Sequence, residues 1–195
     1  MSIQNAVLKF NYSDAAAYLG CSVAAIKAVA SVESAGSGFD PEGFPKTLFE
    51  GHKFNQFTGG VYSAKHPTYS YLKWTKNFYG KTWRDEKDRL FFAMSLNREA
   101  AIKSASWGEF QIMGFNWQAT GATSIQDFVN RMCDGPESQL SLFCGFIKAS
   151  PRLLVALRDL KWVEFAKLYN GDGYAANQYD TKLASAYRKM IINPQ

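Results

Sequence analysis

A chain of 195 residues, 47% apolar and 15% aromatic, can bury one sizeable core, which excludes an unstructured tail and a miniature held by disulfides. Lys and Arg outnumber Asp and Glu by 22 to 17, a net +5 that favours anionic partners such as nucleic acid, acidic lipid or acidic wall polymer. The basic residues form no run and do not interleave with aromatics as a base-stacking platform requires, so a nucleic-acid partner is not expected.

The N-terminus, MSIQNAVLKFNYSDAAAYLG, reaches Asn11 and Asp14 before an apolar run of signal-peptide length builds up. No window approaches the ~20 apolar residues of a membrane span, so stable membrane insertion is not expected. Cys21, Cys133 and Cys144 are an odd number in a chain too long to need staples, which predicts free thiols and synthesis in a reducing cytoplasm.

Ser13 and Asp14 can cap a first helix that Gly20 ends, and Ser22 can cap a second running to Glu33 or Ser34. In that second helix Val23, Ile26, Val29 and Ala30 repeat at helical spacing, and Glu33 falls on their face, four residues after Val29. A carboxyl held against apolar surface keeps its proton to higher pH, as a general acid must; the alternative is a helix-end glutamate leaning out into solvent. The stretch SAGSGFDPEGFP reads as a turn or loop, and KTLFEGHKF as a short strand in which Lys46, Leu48 and Glu50 share one side. Asp40, Glu42 and Glu50 add carboxylates near the end of the glutamate helix, with solvated turn positions as their ordinary reading. Glycoside hydrolysis commonly needs two such groups flanking the scissile bond.

Residues 61 to 83 are aromatic and irregular; Trp74, Tyr79 and Trp83 can border a sugar groove or pack in the core. Arg84 to Ile102 predicts one amphipathic helix burying Leu90, Phe91, Met94, Ala101 and Ile102. In SASWGEFQIMGFNW, residues 104 to 117, Gln111 sits inside an apolar run, where its amide needs a hydrogen-bonding partner that a substrate rich in hydroxyls and acetamides can supply. ATSIQDFVNRMC, ESQLSLFCGFIKAS, PRLLVALRDL, KWVEFAKLYN and TKLASAYRKMII read as helices, with Cys133 and Cys144 as core residues.

A helix ending in Glu-Ser, a later Gly-x-x-Gln-Ile string and the segment LYNGDGYAANQY at 168 to 179 resemble goose-type lysozymes and soluble lytic transglycosylases. ESAGSGFDPEGFPKTLFEGHKF together with SWGEFQIMGFNW resembles more closely the N-acetylmuramidase family of phage endolysin domains, over nearly the whole chain. The resemblance implies a mainly α (α+β) lysozyme-like fold, a helical domain with a small β-hairpin region beside the cleft. It implies cleavage of peptidoglycan between N-acetylmuramic acid and N-acetylglucosamine, without metal or cofactor. It matches Glu33 to the catalytic glutamate and Trp107, Gln111, Tyr169 and Asn170 to segments lining the glycan cleft. Glu50 is the expected second carboxylate and Glu109 its main competitor. The expected protein is a monomer, one catalytic domain over residues 1 to 195 with no separate wall-binding domain. It is made in the host bacterial cytoplasm and acts on the periplasmic wall after release.

The sequence departs from lytic transglycosylases in the long insertion between Glu33 and SWGEFQIMG, whose extra carboxylates favour attack by water over internal ring closure. A zinc amidase needs more ligands than His52 and His66 provide, and a noncatalytic wall-binding module would show repeats that are absent from the sequence.

Overall fold

The computed structural model describes residues 9–193. The chain forms α1 (Tyr12–Leu19), α2 (Val23–Ser34), β1 (Thr47–Phe49), α3 (Gly51–Phe57), α4 (Trp83–Leu96), α5 (Arg98–Lys103), β2 (Ala105–Trp107) and β3 (Ile112–Met113). A 3-10 turn (Gly114–Thr120), α6 (Ile125–Cys133), α7 (Pro136–Ala149), α8 (Pro151–Arg158), α9 (Trp162–Asn170) and α10 (Tyr179–Ile192) follow. The reading of the extreme N-terminus lies largely outside the described residues. Among the described residues no single helix is long and apolar enough to cross a membrane.

The first two helices form for the reasons the sequence offers. Asn11, two positions before the expected Ser13, caps α1 by accepting from the Asp14 amide at 2.9 Å, and Gly20 ends it at φ 68°. Ser22 caps α2 through the Ala25 amide at 3.1 Å. Small side chains along α2 let it lie against α1 and α10, with Ala25, Ile26, Ala28 and Val29 fully buried. The helix stops where Ala35 turns left-handed at φ 58°. Lys46 then reaches back and donates from Nζ to the Ser34 carbonyl at 2.9 Å, placing a positive charge on the helix's negative end.

The single helix expected over 84 to 102 is two. Asn97 adopts extended dihedrals, gives its amide to the Ala93 carbonyl and accepts the Ala100 amide on its side chain at 3.0 Å, so one residue ends α4 and starts α5. A short amide side chain that competes with the backbone makes this break favourable. Leu90, Ala101 and Ile102 are buried as expected, but Phe91 is 45% exposed and lies edge-on against Phe44. Cys144 is buried; Cys133 ends α6 on the exposed side and is not a core residue.

The expected hairpin region is a three-stranded antiparallel sheet in the order β1-β2-β3, so the partner of the KTLF strand is SASW and not its own following residues. Leu48 pairs with Ser106 and Ser106 with Met113, which puts these three on one face, toward an open cavity. The alternate positions Phe49, Ala105, Trp107 and Ile112 face the core and are at most 2% exposed. Gln139 of α7 pins the β2–β3 turn from behind: its Oε1 accepts the Glu109 amide at 2.8 Å. A Cβ on Gly38 would meet that same oxygen at 2.0 Å, so only glycine lets the loop after α2 pass the turn this closely.

Candidate active site

Glu33 occupies the last turn of α2, partly buried, where two cavities of about 730 and 400 Å³ meet; it and Gln111 line both. Burial pushes its carboxyl from the ordinary 4.5 up to about 7, opposed by the Asn170 amide, which donates from Nδ2 to Oε1 at 2.8 Å. Its place at the negative end of a helix works in the same direction as burial. The group therefore carries a proton through most of the weakly acid range while facing open space.

Glu50 lines the larger cavity together with Glu33. It is two residues beyond Leu48 and so takes the same side of β1, as the alternation predicts, although the strand ends at Phe49 and Glu50 stands just before α3. Burial pushes its pKa up, while the Tyr79 hydroxyl, donating to Oε1 at 2.7 Å, favours the ionised form. His52 Nδ1 lies 3.3 Å from Oε2; burial, then the Lys53 charge, lowers the pKa of that imidazole, which makes the contact one with a neutral ring. Carboxylate and phenol are thus held by named partners on the sheet side of the cleft.

Tyr169 and Asn170, at the end of α9, line the same cavity; the Tyr169 hydroxyl donates to the Phe110 carbonyl at 2.6 Å and so joins α9 to the β2–β3 turn. Gln111 holds a left-handed backbone at φ 47°, a conformation that costs energy in a non-glycine residue and is kept here by tight local bonding. Ser106 Oγ donates to its Oε1 at 2.7 Å, and its Nε2 donates to the carbonyls of Gly108 and Lys46. The amide is thus satisfied within the protein, contrary to the expectation that substrate completes it. Gly108, at φ 72°, makes the turn that brings this amide round.

Trp107 departs from the expectation altogether. It is 1% exposed, donates from Nε1 to the Ile102 carbonyl at 3.1 Å and packs against Phe44 and Phe128. Strand alternation sends Ser106 to the cleft and Trp107 to the core, so it supports the sheet and touches no sugar.

The other carboxylates separate clearly. Glu109 is 7% exposed, faces neither cavity and accepts the Tyr12 hydroxyl at 2.9 Å. Asp40 borders the smaller cavity but accepts the Glu42 and Phe44 amides, a turn-forming role. Glu42 is bound by Arg84 and Lys87, which hold its carboxyl below the usual range. The open aromatic assignments resolve toward the cleft: Trp74 and Tyr79 line the larger cavity and Trp83 the smaller. Sequence reasoning missed Tyr179 and Asn177, though both fall in the quoted segment LYNGDGYAANQY, and missed Ser106 and Met113, whose alternation against Leu48 depended on a pairing invisible in the sequence.

A family model described as N-acetylmuramidase matches residues 22–191. The chain belongs to the N-acetylmuramidase family. As a member it is a glycoside hydrolase of peptidoglycan, and its mainly helical fold with one small sheet is lysozyme-like. The crystal structure of the Burkholderia AP3 phage endolysin is similar to it, with a TM-score of 0.80 and 38% identity over 93% of this chain and 70% of that one. Among curated proteins none matches it.

Proposed function

We propose that this muramidase works as an endolysin domain, cutting the bond between N-acetylmuramic acid and N-acetylglucosamine with Glu33 as general acid and Glu50 as general base. Glu33 gives its proton to the glycosidic oxygen as the bond from the anomeric carbon breaks. Glu50 takes a proton from the water that attacks that carbon, and the new hydroxyl stays on the muramoyl residue. Asn170 orients the acid and Tyr79 the base, and Tyr169 lines the larger cavity beside them. The observation that carries the reading is that the one carboxyl raised to about 7 shares a cavity with a second, separately held carboxyl.

The long insertion after α2 supplies Glu50, and a second carboxylate gives water a base that internal ring closure does not require. Hydrolysis is therefore favoured over transglycosylation. Mass spectrometry of digested sacculi distinguishes them: reducing muramic ends support the proposal, and 1,6-anhydro ends would refute it. Replacing Glu50→Gln should slow release of reducing ends by about a hundredfold while muropeptide still binds. Among the described residues no group of three or more His, Cys, Asp or Glu is placed to hold a metal ion. We take the protein to act as a monomer, as one catalytic domain without lasting membrane insertion, and to reach the wall after release from the cytoplasm where it is made.

A further inference from the structure

The smaller cavity has no part in the chemistry assigned above, yet it opens from the same carboxyl. Its direction follows from the roles of Glu33 and Glu50, so the inference rests on that reading. A water activated by Glu50 must approach the anomeric carbon from the side away from the departing oxygen, and Glu50 lines the larger cavity but not the smaller. The sugar that owns the anomeric carbon therefore lies toward the larger cavity. The sugar that departs with the Glu33 proton lies toward the smaller. Because a muramidase cuts after a muramoyl residue in an alternating strand, the first departing sugar is N-acetylglucosamine and the second is again muramoyl. That second sugar carries a lactyl carboxyl, free or extended into a peptide that ends in carboxylates.

Two lysines line this cavity, and they differ in what they are already doing. Lys87 is bound to Glu42, lies 3.8 Å from Asp40, and rests 4.9 Å over the Trp83 ring; its charge is matched within the protein. Lys46 is held by a carbonyl, that of Ser34, at 2.9 Å, and among the described residues no carboxylate lies within ion-pairing distance of it. An ammonium has three donors, and one carbonyl leaves the others free to meet an incoming anion. Because Lys46 bonds the residue next to Glu33, it is anchored at a fixed offset from the bond being cut. Trp83 lines the same cavity, with Lys87 and Arg84 resting over its ring.

We propose that the smaller cavity is the leaving-group arm of the cleft and that Lys46 in it binds the carboxylate of the second departing sugar. The enzyme would then prefer charged muramoyl strands to neutral glycan of equal length. The probe is a synthetic tetrasaccharide of alternating N-acetylglucosamine and N-acetylmuramic acid, cut at its central bond, with the lactyl carboxyl of the departing half either free or capped as a methylamide. The wild-type enzyme should show kcat/KM about tenfold lower on the capped form, the scale of one charge-assisted hydrogen bond. Lys46→Met should lose that factor on the free form and nothing on the capped form, while Lys46→Arg should keep the preference. Equal cleavage of both forms by the wild type would overturn the proposal. So would a Lys46→Met enzyme slowed equally on both, which would make the lysine a helix-end cap only, or a preference that follows the carboxyl of the retained half. Failure of the underlying mechanism shows separately, as anhydro products or as undiminished turnover by Glu50→Gln.

Discussion

Glu33 and Glu109 are chemically the same acid in much the same kind of place. Both are largely withdrawn from water, both accept one hydrogen bond from a neutral donor, and burial raises the pKa of both. Glu33 ends a helix at the meeting point of two cavities; Glu109 sits in the β2–β3 turn, closed off against Tyr12 of α1, and faces neither. Burial therefore raises a carboxyl's pKa whether or not the group faces a cleft. What makes an acid catalyst is burial combined with a route for substrate to its proton.

The contrast is broken most severely by swapping which carboxyl is removed. Glu33→Gln should cut turnover of purified sacculi by at least about a thousandfold, and Glu109→Gln should leave it within about twofold. Comparable losses from the two changes, read in one turbidity assay, would erase the distinction.

Stability should move the opposite way. Glu33 holds its proton up to about pH 7 when folded, against an ordinary 4.5. Below 4.5 both states are protonated and the burial costs nothing through ionisation. Between 4.5 and 7 only the folded state keeps the proton, so stability falls as pH rises, and above 7 the full cost persists. Removing the ionisation with Glu33→Gln should therefore stabilise the fold by roughly 3 kcal/mol at pH 8 and by close to nothing at pH 4. Denaturant unfolding at the two pH values measures this directly, and an equal effect at both would contradict the assigned titration.

A smaller effect sharpens the Glu33 side. The Asn170 amide favours the ionised carboxyl, so Asn170→Ala should move the alkaline limb of the kcat/KM profile to higher pH. A limb that stays in place would mean the bond is not felt by the acid. On the Glu109 side, Tyr12→Phe should cost about 1 kcal/mol in chemical denaturation and leave that profile unchanged, because the bond it removes joins α1 to the sheet turn and nothing in the cleft.

Local rules carried much of this fold into the sequence. Ser22, the spacing of Ile26 and Val29, and the stop after Ser34 define α2 through interactions within a few residues, so the helix and the inward side of Glu33 could be read directly. The same holds for Leu48 and Glu50 sharing one side of a strand. Asn97 shows the limit of periodicity: the apolar pattern runs on through it, but its cap bonds split the helix in two.

The site depended on longer reach. Trp107 looked like a cleft residue until pairing of β1 with β2 set which face of SASW points inward. Gln111 looked in need of a substrate until the fold brought Ser106 and the Lys46 carbonyl to it. Sequence put Glu50 ahead of Glu109 but could not separate them by geometry, since only packing decides which carboxyl faces open space. The chain by itself determined most of the helices, the acid at the end of α2 and a second carboxyl just past a strand. Tertiary structure alone chose the partners, because hydrogen bonds such as Asn170 to Glu33 join residues 137 apart, and no pattern within a turn of helix or a pleat of strand encodes such a meeting.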